Sequence, residues 1–213
     1  FRRVLFRSAG PGIGSSGLKQ LLRSPAHYEE YKQNPPDTDA LRSGRMVHTM
    51  VLEPHKFSSE YVVADCITRN SKVFKDTQAL NQNKTCVTAA EYETARAIFK
   101  AVSANELARQ AIIAPVGHNE LSVYWTDAET GVLCKARADK MNNGLLFDLK
   151  TTGDAQVREF QRAIVNYKYH LSAALYVDGF ATALGAAPEF SWIVVEKTSP
   201  YGIAFYAASH ETI

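Results

Sequence analysis

The sequence predicts one α/β domain in which helices pack on a central β-sheet. The chain has 213 residues, enough for a single well-packed core. Apolar residues recur at helical spacing before residue 118 and again after residue 154, and the stretch between them alternates apolar and polar residues as strands do. A tight hairpin turn is marked by Asn143-Gly144. Hairpins followed by helices and a returning strand are typical of an α/β sandwich.

The composition argues against several classes of protein. The net charge is only +2, so a nucleic-acid surface would have to be a local basic patch. Cys66, Cys86 and Cys134 form no CxxC motif, which argues against an iron–sulfur or zinc cluster and a disulfide scaffold, and suits a reducing cytoplasm. No apolar run reaches the roughly 18 to 20 residues that span a membrane.

The first 16 residues are expected to lie outside the domain, which would comprise residues 17–213. The segment FRRVLFRS resembles either a basic targeting segment or one translated frame of a sequencing adapter, and we favour the adapter. The following AGPGIGSSG is rich in glycine and serine, which predicts a disordered junction. Ser16 is then expected to cap a helix that Pro25 interrupts and Pro35-Pro36 ends.

A further helix is predicted between a cap at Asp37 or Thr38 and Pro54. Gly44 and His48 stand one turn apart on it and so share a face. By itself, a helical histidine is more often a packing or surface residue than a ligand.

Three segments follow before the predicted sheet. EYVVAD is expected to be a short strand, and the polar stretch 72–84 is ambiguous, with a mobile segment bordering the site as one interpretation. Thr88 starts a long helix, broken near 103–105, that we assign to the scaffold.

A first hairpin is predicted from His118, where NELSVYWTD is followed by a turn at 128–131 and by VLCKARADKM. If Thr126 pairs with Gly131, Glu120 falls opposite Arg137, and a bulge in the turn would reverse these faces.

The second hairpin brings two acids together. With Asn143-Gly144 as a two-residue turn, Lys140 pairs with Phe147, and Asp139 falls opposite Asp148 at a Cβ distance of roughly 5 Å. Alternation then assigns the side chains to a charged face and a core face. The predicted charged face comprises Lys135, Arg137, Asp139, Asp148 and Lys150. The predicted core face comprises Cys134, Ala136, Ala138, Phe147 and Leu149.

Two carboxylates placed opposite each other repel unless a cation compensates them. A hard divalent cation, which prefers oxygen ligands, would do so. An alternative of equal weight is a solvated hairpin whose acids pair with Arg137 and Lys150.

Two helices and two strands complete the predicted fold. The helix at 156–167 is expected to bury Val157, Phe160, Ile164 and Val165. The next helix ends at Gly185, and one of its faces carries Tyr169, Ser172 and Tyr176. Strands are expected at 189–196 and 202–208.

Asp139, the Asp148-Leu149-Lys150 triplet and the two threonines after it resemble the core of PD-(D/E)XK nucleases. The segments GRMVHTMVLEP, YWTDAETGVLCKARADK, FDLKTT and YKYHLSAALYVDGF, in this order, resemble the RecE (exonuclease VIII) nuclease domains of the RecB-like group. The resemblance runs from about residue 17 to about residue 207 and implies the PD-(D/E)XK nuclease fold, a central mixed β-sheet flanked by helices.

The resemblance also implies a site. Its metal ligands would be His48, Asp139, Asp148 and the Leu149 carbonyl, binding one or two Mg²⁺, with Mn²⁺ possible. Its catalytic residues would be Asp139, Asp148 and Lys150, together with Glu120, which either assists the metal or only pairs with Arg137. Its DNA contacts would be Arg45, Arg137, Thr151, Lys168, Tyr176 and Ser172, the last standing where the family has glutamine.

The implied activity is that of a cytoplasmic, Mg²⁺-dependent 5′ to 3′ exonuclease on double-stranded DNA ends in phage-type recombination. Its implied partners are a RecT-like single-strand annealing protein and further copies of itself in a ring. No iron–sulfur cluster, nucleotide cofactor or membrane is expected. The alternatives are a RecB-like nuclease of other polarity or on single strands, and a non-catalytic DNA-binding module. The family continues beyond the point that matches Ile213, so a fragment truncated at its C-terminus is expected.

Overall fold

The computed structural model describes residues 10–209, so FRRVLFRS lies outside the described residues. The helices of the described chain are α1 (Ser15–Leu21), α2 (Pro25–Gln33), α3 (Asp39–Leu52), α4 (Phe57–Glu60), α5 (Lys72–Leu80), α6 (Ala89–Ala104), α7 (Glu106–Ala108), α8 (Val157–Asn166) and α9 (Tyr169–Leu184). The strands are β1 (Tyr61–Ala64), β2 (Thr85–Thr88), β3 (His118–Thr126), β4 (Leu133–Asn142), β5 (Leu145–Thr152), β6 (Glu189–Glu196) and β7 (Ile203–Ala207). A 3₁₀ turn, Pro54–Lys56, precedes α4, and a π-helical turn, Arg109–Ile113, follows α7.

The central sheet has the order β3-β4-β5-β6-β7. The pair β5 and β6 is parallel and the other neighbours are antiparallel, which confirms the predicted mixed sheet flanked by helices. A connection between parallel neighbours needs a crossover, and the chain supplies it with α8 and α9. No helix within residues 10–209 is long and apolar enough to cross a membrane.

Each face of the sheet carries its own core. The α3/α6 core is built from α3, α6 and the sheet residues Phe147, Leu149, Ile193 and Val195. The α8/α9 core is built from α8, α9 and the sheet residues Ala136, Ala138, Leu146, Trp192 and Val194. The candidate functional side chains lie at strands β4 and β5, where the α3/α6 core and the α8/α9 core meet the sheet.

The predicted helix starts at Thr38 and Thr88 are confirmed, and Ser24 and Asn105, which were not predicted as caps, act in the same way. Side-chain oxygens of Ser24, Thr38, Thr88 and Asn105 accept backbone N–H groups at the first turns of α2, α3, α6 and α7. The polar stretch 72–84 is mostly helical rather than a mobile segment, because Ser71 caps α5 and Phe74 anchors it in a small core with Ala64 and Cys86. Strand β2 pairs in parallel with β1 and was not predicted from the sequence.

The predicted disordered junction is wrong for its second half. Ile13 donates its N–H to the Leu133 carbonyl at 2.9 Å and accepts the Lys135 N–H at 3.0 Å. This contact forms because β4 pairs with β5 only near the hairpin turn, which leaves the start of β4 with a free edge on that side. Helix α1 accordingly begins at Ser15 with Gly14 as its N-cap, ahead of the expected cap at Ser16.

Two further expectations need correction. Thr126 pairs with Leu133 and not with Gly131, because Asp127 closes a longer turn in which its N–H reaches the Val132 carbonyl. On α8, Phe160 is buried as expected, but Val157 and Val165 are 57% and 68% exposed, so the helix rests on the sheet by a narrower stripe than its sequence suggests.

Candidate metal centre

The hairpin between β4 and β5 forms the frame of the site. Asn143 and Gly144 have φ of 48° and 78°, the left-handed conformations that a two-residue turn requires. The register near the turn, with Lys140 opposite Phe147, is confirmed. The regular pairing ends there, and the Leu149 N–H donates 2.7 Å to Asp139 Oδ2 instead of to a backbone carbonyl. Asp139 and Asp148 are therefore not a regular cross-strand pair, and the Asp139 carboxylate lies in the opening between the strands.

The predicted division of the hairpin into a charged and a core face is wrong. Ala136 and Ala138 belong to the α8/α9 core, whereas Phe147 and Leu149 belong to the α3/α6 core on the opposite face. Neighbouring strand β3 switches faces in the same place, at Glu120, which has a φ of 52°. On either side of it, the Asn119 amide donates to the Leu52 carbonyl on α3, while Leu121 packs in the α8/α9 core. The alternation of side chains is thus broken where the acids lie.

Three candidate ligands converge at this break. Ligand atoms of His48, Glu120 and Asp139 all lie within 4.8 Å of one another. On α3, His48 places Nδ1 3.3 Å from Asp139 Oδ1, and its Nε2 lies 2.9 Å from the Leu149 carbonyl oxygen. Glu120 also accepts from Arg137 Nε at 2.8 Å. Both roles left open for Glu120, the ion pair and the position beside the metal ligands, are compatible with this geometry.

The electrostatics of the group favour a positive charge at its centre. Burial alone would lower the pKa of His48, but the charge of Asp139 and its hydrogen bond to the ring outweigh burial and raise it. Burial would likewise raise the pKa of Asp139, yet the His48 charge and hydrogen bond hold it below its usual range. Burial, followed by the Asp139 charge, raises the pKa of Glu120 to about 7. His48 and Asp139 thus stabilise each other's charged forms.

Asp148 and Lys150 lie on the α8/α9 side of β5 and form an ion pair. Burial, with the charge of Asp139 adding to it, raises the pKa of Asp148 despite the attraction of Lys150. Burial acts to lower the pKa of Lys150, but the charges of Asp148 and Asp139 outweigh it and raise that pKa. The Lys150 ammonium also lies 5.2 Å from the centre of the Tyr169 ring. Lys150 is therefore a charged, oriented cation next to both acids.

Helix α1 brings residues to the site that the sequence interpretation missed. The Lys19 ammonium lies 5.6 Å from the centre of the Tyr169 ring. Burial and then the charge of Lys150 lower the pKa of Lys19 to about 8. Ser15 hydrogen-bonds Tyr176, whose pKa is raised by burial and by the Asp148 charge. A lysine on a short, weakly patterned helix more than a hundred residues before the acids offers no sequence signal for this placement.

The predicted DNA contacts have different surroundings. Arg45 is exposed and pairs with Asp37, and Arg137 pairs with Glu120, so neither is a free cation. Thr151, on β5 opposite Val195, is half-buried. Lys168 lies in the turn between α8 and α9 with a φ of 52°, and Ser172 is half-buried on α9. Tyr176 packs its ring edge-on against Phe190 with centroids 6.1 Å apart. Contact of these residues with DNA stays a prediction.

The donor set fits a hard divalent cation. Two carboxylates and a backbone carbonyl supply oxygen, the ligand that Mg²⁺ prefers, and His48 adds a nitrogen that suits Mn²⁺. Asp148 lies outside this group and pairs with Lys150, although the charge of Asp139 contributes to the shift of its pKa.

Comparison with known proteins agrees with this geometry. Residues 14–213 match the family described as "PDDEXK-like domain of unknown function (DUF3799)". A crystal structure described as "Putative exonuclease" from Eubacterium rectale superposes with a TM-score of 0.66 at 13% sequence identity, covering 94% of this chain and 74% of that one. At this identity the likeness concerns the fold alone. No curated protein is significantly similar to the chain in sequence.

Proposed function

Because the chain belongs to this family of PDDEXK-like domains, we propose that it is a metal-dependent nuclease that hydrolyses phosphodiester bonds of DNA. The observation that carries the proposal is the meeting of two groups at the opening between β4 and β5. One group is the cluster of His48, Glu120 and Asp139, and the other is the Asp148–Lys150 ion pair. Carboxylates can hold a divalent cation, and a lysine beside them can offset the charge that grows on a phosphate during hydrolysis.

The cation would be held by His48, Asp139, Asp148 and the Leu149 carbonyl, with Glu120 beside them. When bound, it supplies polarisation of the scissile phosphate and a lowered pKa for the attacking water.

The side chains of the protein supply the remaining stabilisation. Lys150, held in place by Asp148 and by the Tyr169 ring, offsets the negative charge that grows on the phosphate oxygens. The Leu149 N–H fixes one oxygen of Asp139, so the other oxygen stays directed at His48. This hydrogen bonding orients the carboxylate before substrate arrives, which lowers the reorganisation needed during reaction.

We further propose that the enzyme is an exonuclease that degrades double-stranded DNA from its ends in the 5′ to 3′ direction, with Mg²⁺ as the cation. The similar fold of the Eubacterium rectale protein described as a putative exonuclease supports an end-directed activity. A role in phage-type recombination, a RecT-like annealing partner and a ring of identical subunits follow from the RecE-like sequence segments and belong to the same proposal.

Digestion of linear duplex DNA, labelled separately at its 5′ and 3′ ends, tests the proposal in Mg²⁺ and in chelator. We expect loss of the 5′ label first, only with metal, and no digestion of a covalently closed circle. Asp148→Asn and Lys150→Met should each lower the rate by about 100-fold or more, as removal of one preorganised charge does. The exposed Asp178 on α9 offers a matched control in Asp178→Asn.

Two results would contradict the proposal. Cleavage that persists in chelator would exclude a metal mechanism. Metal-dependent DNA binding without cleavage, unchanged by Asp148→Asn, would identify a non-catalytic DNA-binding module. Loss of the 3′ label first, or a preference for single strands, would retain the nuclease and reverse the polarity or the substrate.

A further inference from the structure

An exposed tyrosine stands beside the candidate metal centre without a role in it. Tyr167 and Tyr169 flank Lys168 in the turn between α8 and α9, and their rings are stacked with centroids 5.5 Å apart and planes 27° apart. Tyr167 is 62% exposed, so one face of its ring covers Tyr169 and much of the rest meets solvent. Lys168 adopts a left-handed conformation, with a φ of 52°, at the residue that joins the two tyrosines.

The tyrosine pair is connected directly to the site. The ring centre of Tyr169 lies 5.2 Å from the Lys150 ammonium and 5.6 Å from the Lys19 ammonium. The distance from the Tyr167 ring centre to the Lys150 ammonium therefore cannot exceed the 5.2 Å cation–ring distance and the 5.5 Å ring–ring distance taken together. Successive bases in a strand rise by about 3.4 Å, so this spacing corresponds to a few stacked bases at most.

Aromatic rings interleaved with cations are the means by which proteins hold single-stranded nucleic acid. The cations track the phosphates while the rings stack on bases. A base inside a duplex has both faces covered by its neighbours and cannot stack on a protein ring. A base that meets Tyr167 must therefore be unpaired or terminal.

We propose that Tyr167 is a stacking platform for an unpaired base of the strand that is cut, backed by Tyr169 and flanked by the charges of Lys19 and Lys168. This inference rests on the proposed nuclease function and specifies its substrate, since the strand would enter the site already separated from its complement. Tyr167 would position the strand and would take no part in the chemistry at the phosphate.

Fluorescence of a single-stranded oligonucleotide that carries 2-aminopurine tests the stacking in chelator, where no cleavage is needed. Binding to the wild-type protein should change the emission of the probe, because stacking on an aromatic ring alters it. Tyr167→Ala should remove that change and weaken binding by roughly five-fold to 150-fold, the range that corresponds to loss of one base–aromatic stack. Tyr167→Phe keeps the ring and should behave as the wild type.

A matched control comes from Val165, which is 68% exposed two residues earlier in the same region. Val165→Ala removes exposed apolar surface without removing a ring and should leave affinity and emission unchanged. The proposal is overturned if Tyr167→Ala retains the wild-type emission change, if Val165→Ala weakens binding as much, or if the wild-type protein does not bind the single strand.

The same variants distinguish this proposal from the proposed function. In Mg²⁺, a duplex with a few unpaired bases at its end should be cut faster than a blunt duplex by the wild type, and Tyr167→Ala should abolish the difference. Metal-dependent cleavage with no stacking signal would overturn the platform alone. A stacking signal with no cleavage under any condition would overturn the nuclease and leave a single-strand binding site.

Discussion

Replacement of Lys150 by methionine should destabilise the metal-free protein, and the loss should depend on pH. Methionine keeps most of the apolar stem but removes the ammonium that pairs with Asp148. The side chains of Asp148 and Lys150 are only 10% and 23% exposed, so water replaces the lost partner poorly. Removal of one partner of a buried ion pair costs about 3–5 kcal/mol, and the partial exposure of Lys150 favours about 3 kcal/mol. For a chain of this length, that lowers Tm by about 6–12 °C.

The sign of the pH dependence follows from Asp148. Burial already raises its folded-state pKa above the unfolded value, and loss of Lys150 raises it further. A carboxyl group with a raised folded pKa favours folding at low pH, and that contribution is lost as the pH rises through the folded pKa. The deficit of Lys150→Met relative to the wild type should therefore be small at acidic pH and should increase to its full value as the pH rises through the folded-state pKa of Asp148.

Urea or thermal unfolding in chelator, at several pH values, measures this deficit. Lys75→Met, which removes an exposed lysine on α5, is the matched control and should change the free energy of unfolding by less than about 0.5 kcal/mol. An equal deficit at low and high pH, or one no larger than that of Lys75→Met, would refute the assignment of Lys150 as the counter-charge of a buried Asp148.

Two further predictions concern packing and metal binding. Gly179→Ala on α9 should destabilise the fold by about 1–3 kcal/mol in urea unfolding, because a Cβ there would overlap the Trp125 ring. The control, Gly44→Ala on α3, has open space around it and should cost nothing. Equal effects of the two substitutions on the free energy of unfolding would contradict the packing of Gly179 against Trp125. In differential scanning fluorimetry, about 10 mM Mg²⁺, if this is ten times the dissociation constant, should raise Tm by about 3–6 °C. His48→Ala should reduce that shift to about 1 °C, whereas the exposed control His55→Ala should not reduce it. A full shift in His48→Ala would exclude His48 as a ligand.

Local chemistry explains which parts of the fold could be predicted. The turn at Asn143-Gly144 needs left-handed conformations at both residues, and few other residue pairs tolerate them, so turn position and nearby register follow from the sequence. The caps Thr38 and Thr88 were likewise predictable, because a hydroxyl before an apolar helical pattern satisfies otherwise free N–H groups. These features depend on a few adjacent residues.

The arrangement of the site depends on a local exception that the sequence does not mark. Strand alternation predicts faces correctly only while every residue stays extended. Glu120 is left-handed and is neither glycine nor asparagine, the residues that usually signal such a break. Its effect is to move Asn119 to the α3 side while Leu121 stays on the α9 side. An assignment of faces that starts from either end of β3 and assumes regular alternation therefore fails at Glu120, the residue of β3 that lies beside the candidate metal ligands.

The break is tolerated because the acids that occupy it replace the hydrogen bonds that it removes. Where β4 separates from β5, the Leu149 N–H would be an unpaired buried donor, and Asp139 Oδ2 accepts it at 2.7 Å. The other oxygen and the Leu149 carbonyl then point to the two nitrogens of His48, so one histidine satisfies both. Asn in place of Asp139 could still accept the N–H but would carry no charge for His48 or a cation. The Asp139 carboxylate thus accepts an N–H group that the sheet leaves unpaired and also belongs to the candidate site, so one residue serves both the fold and the proposed chemistry.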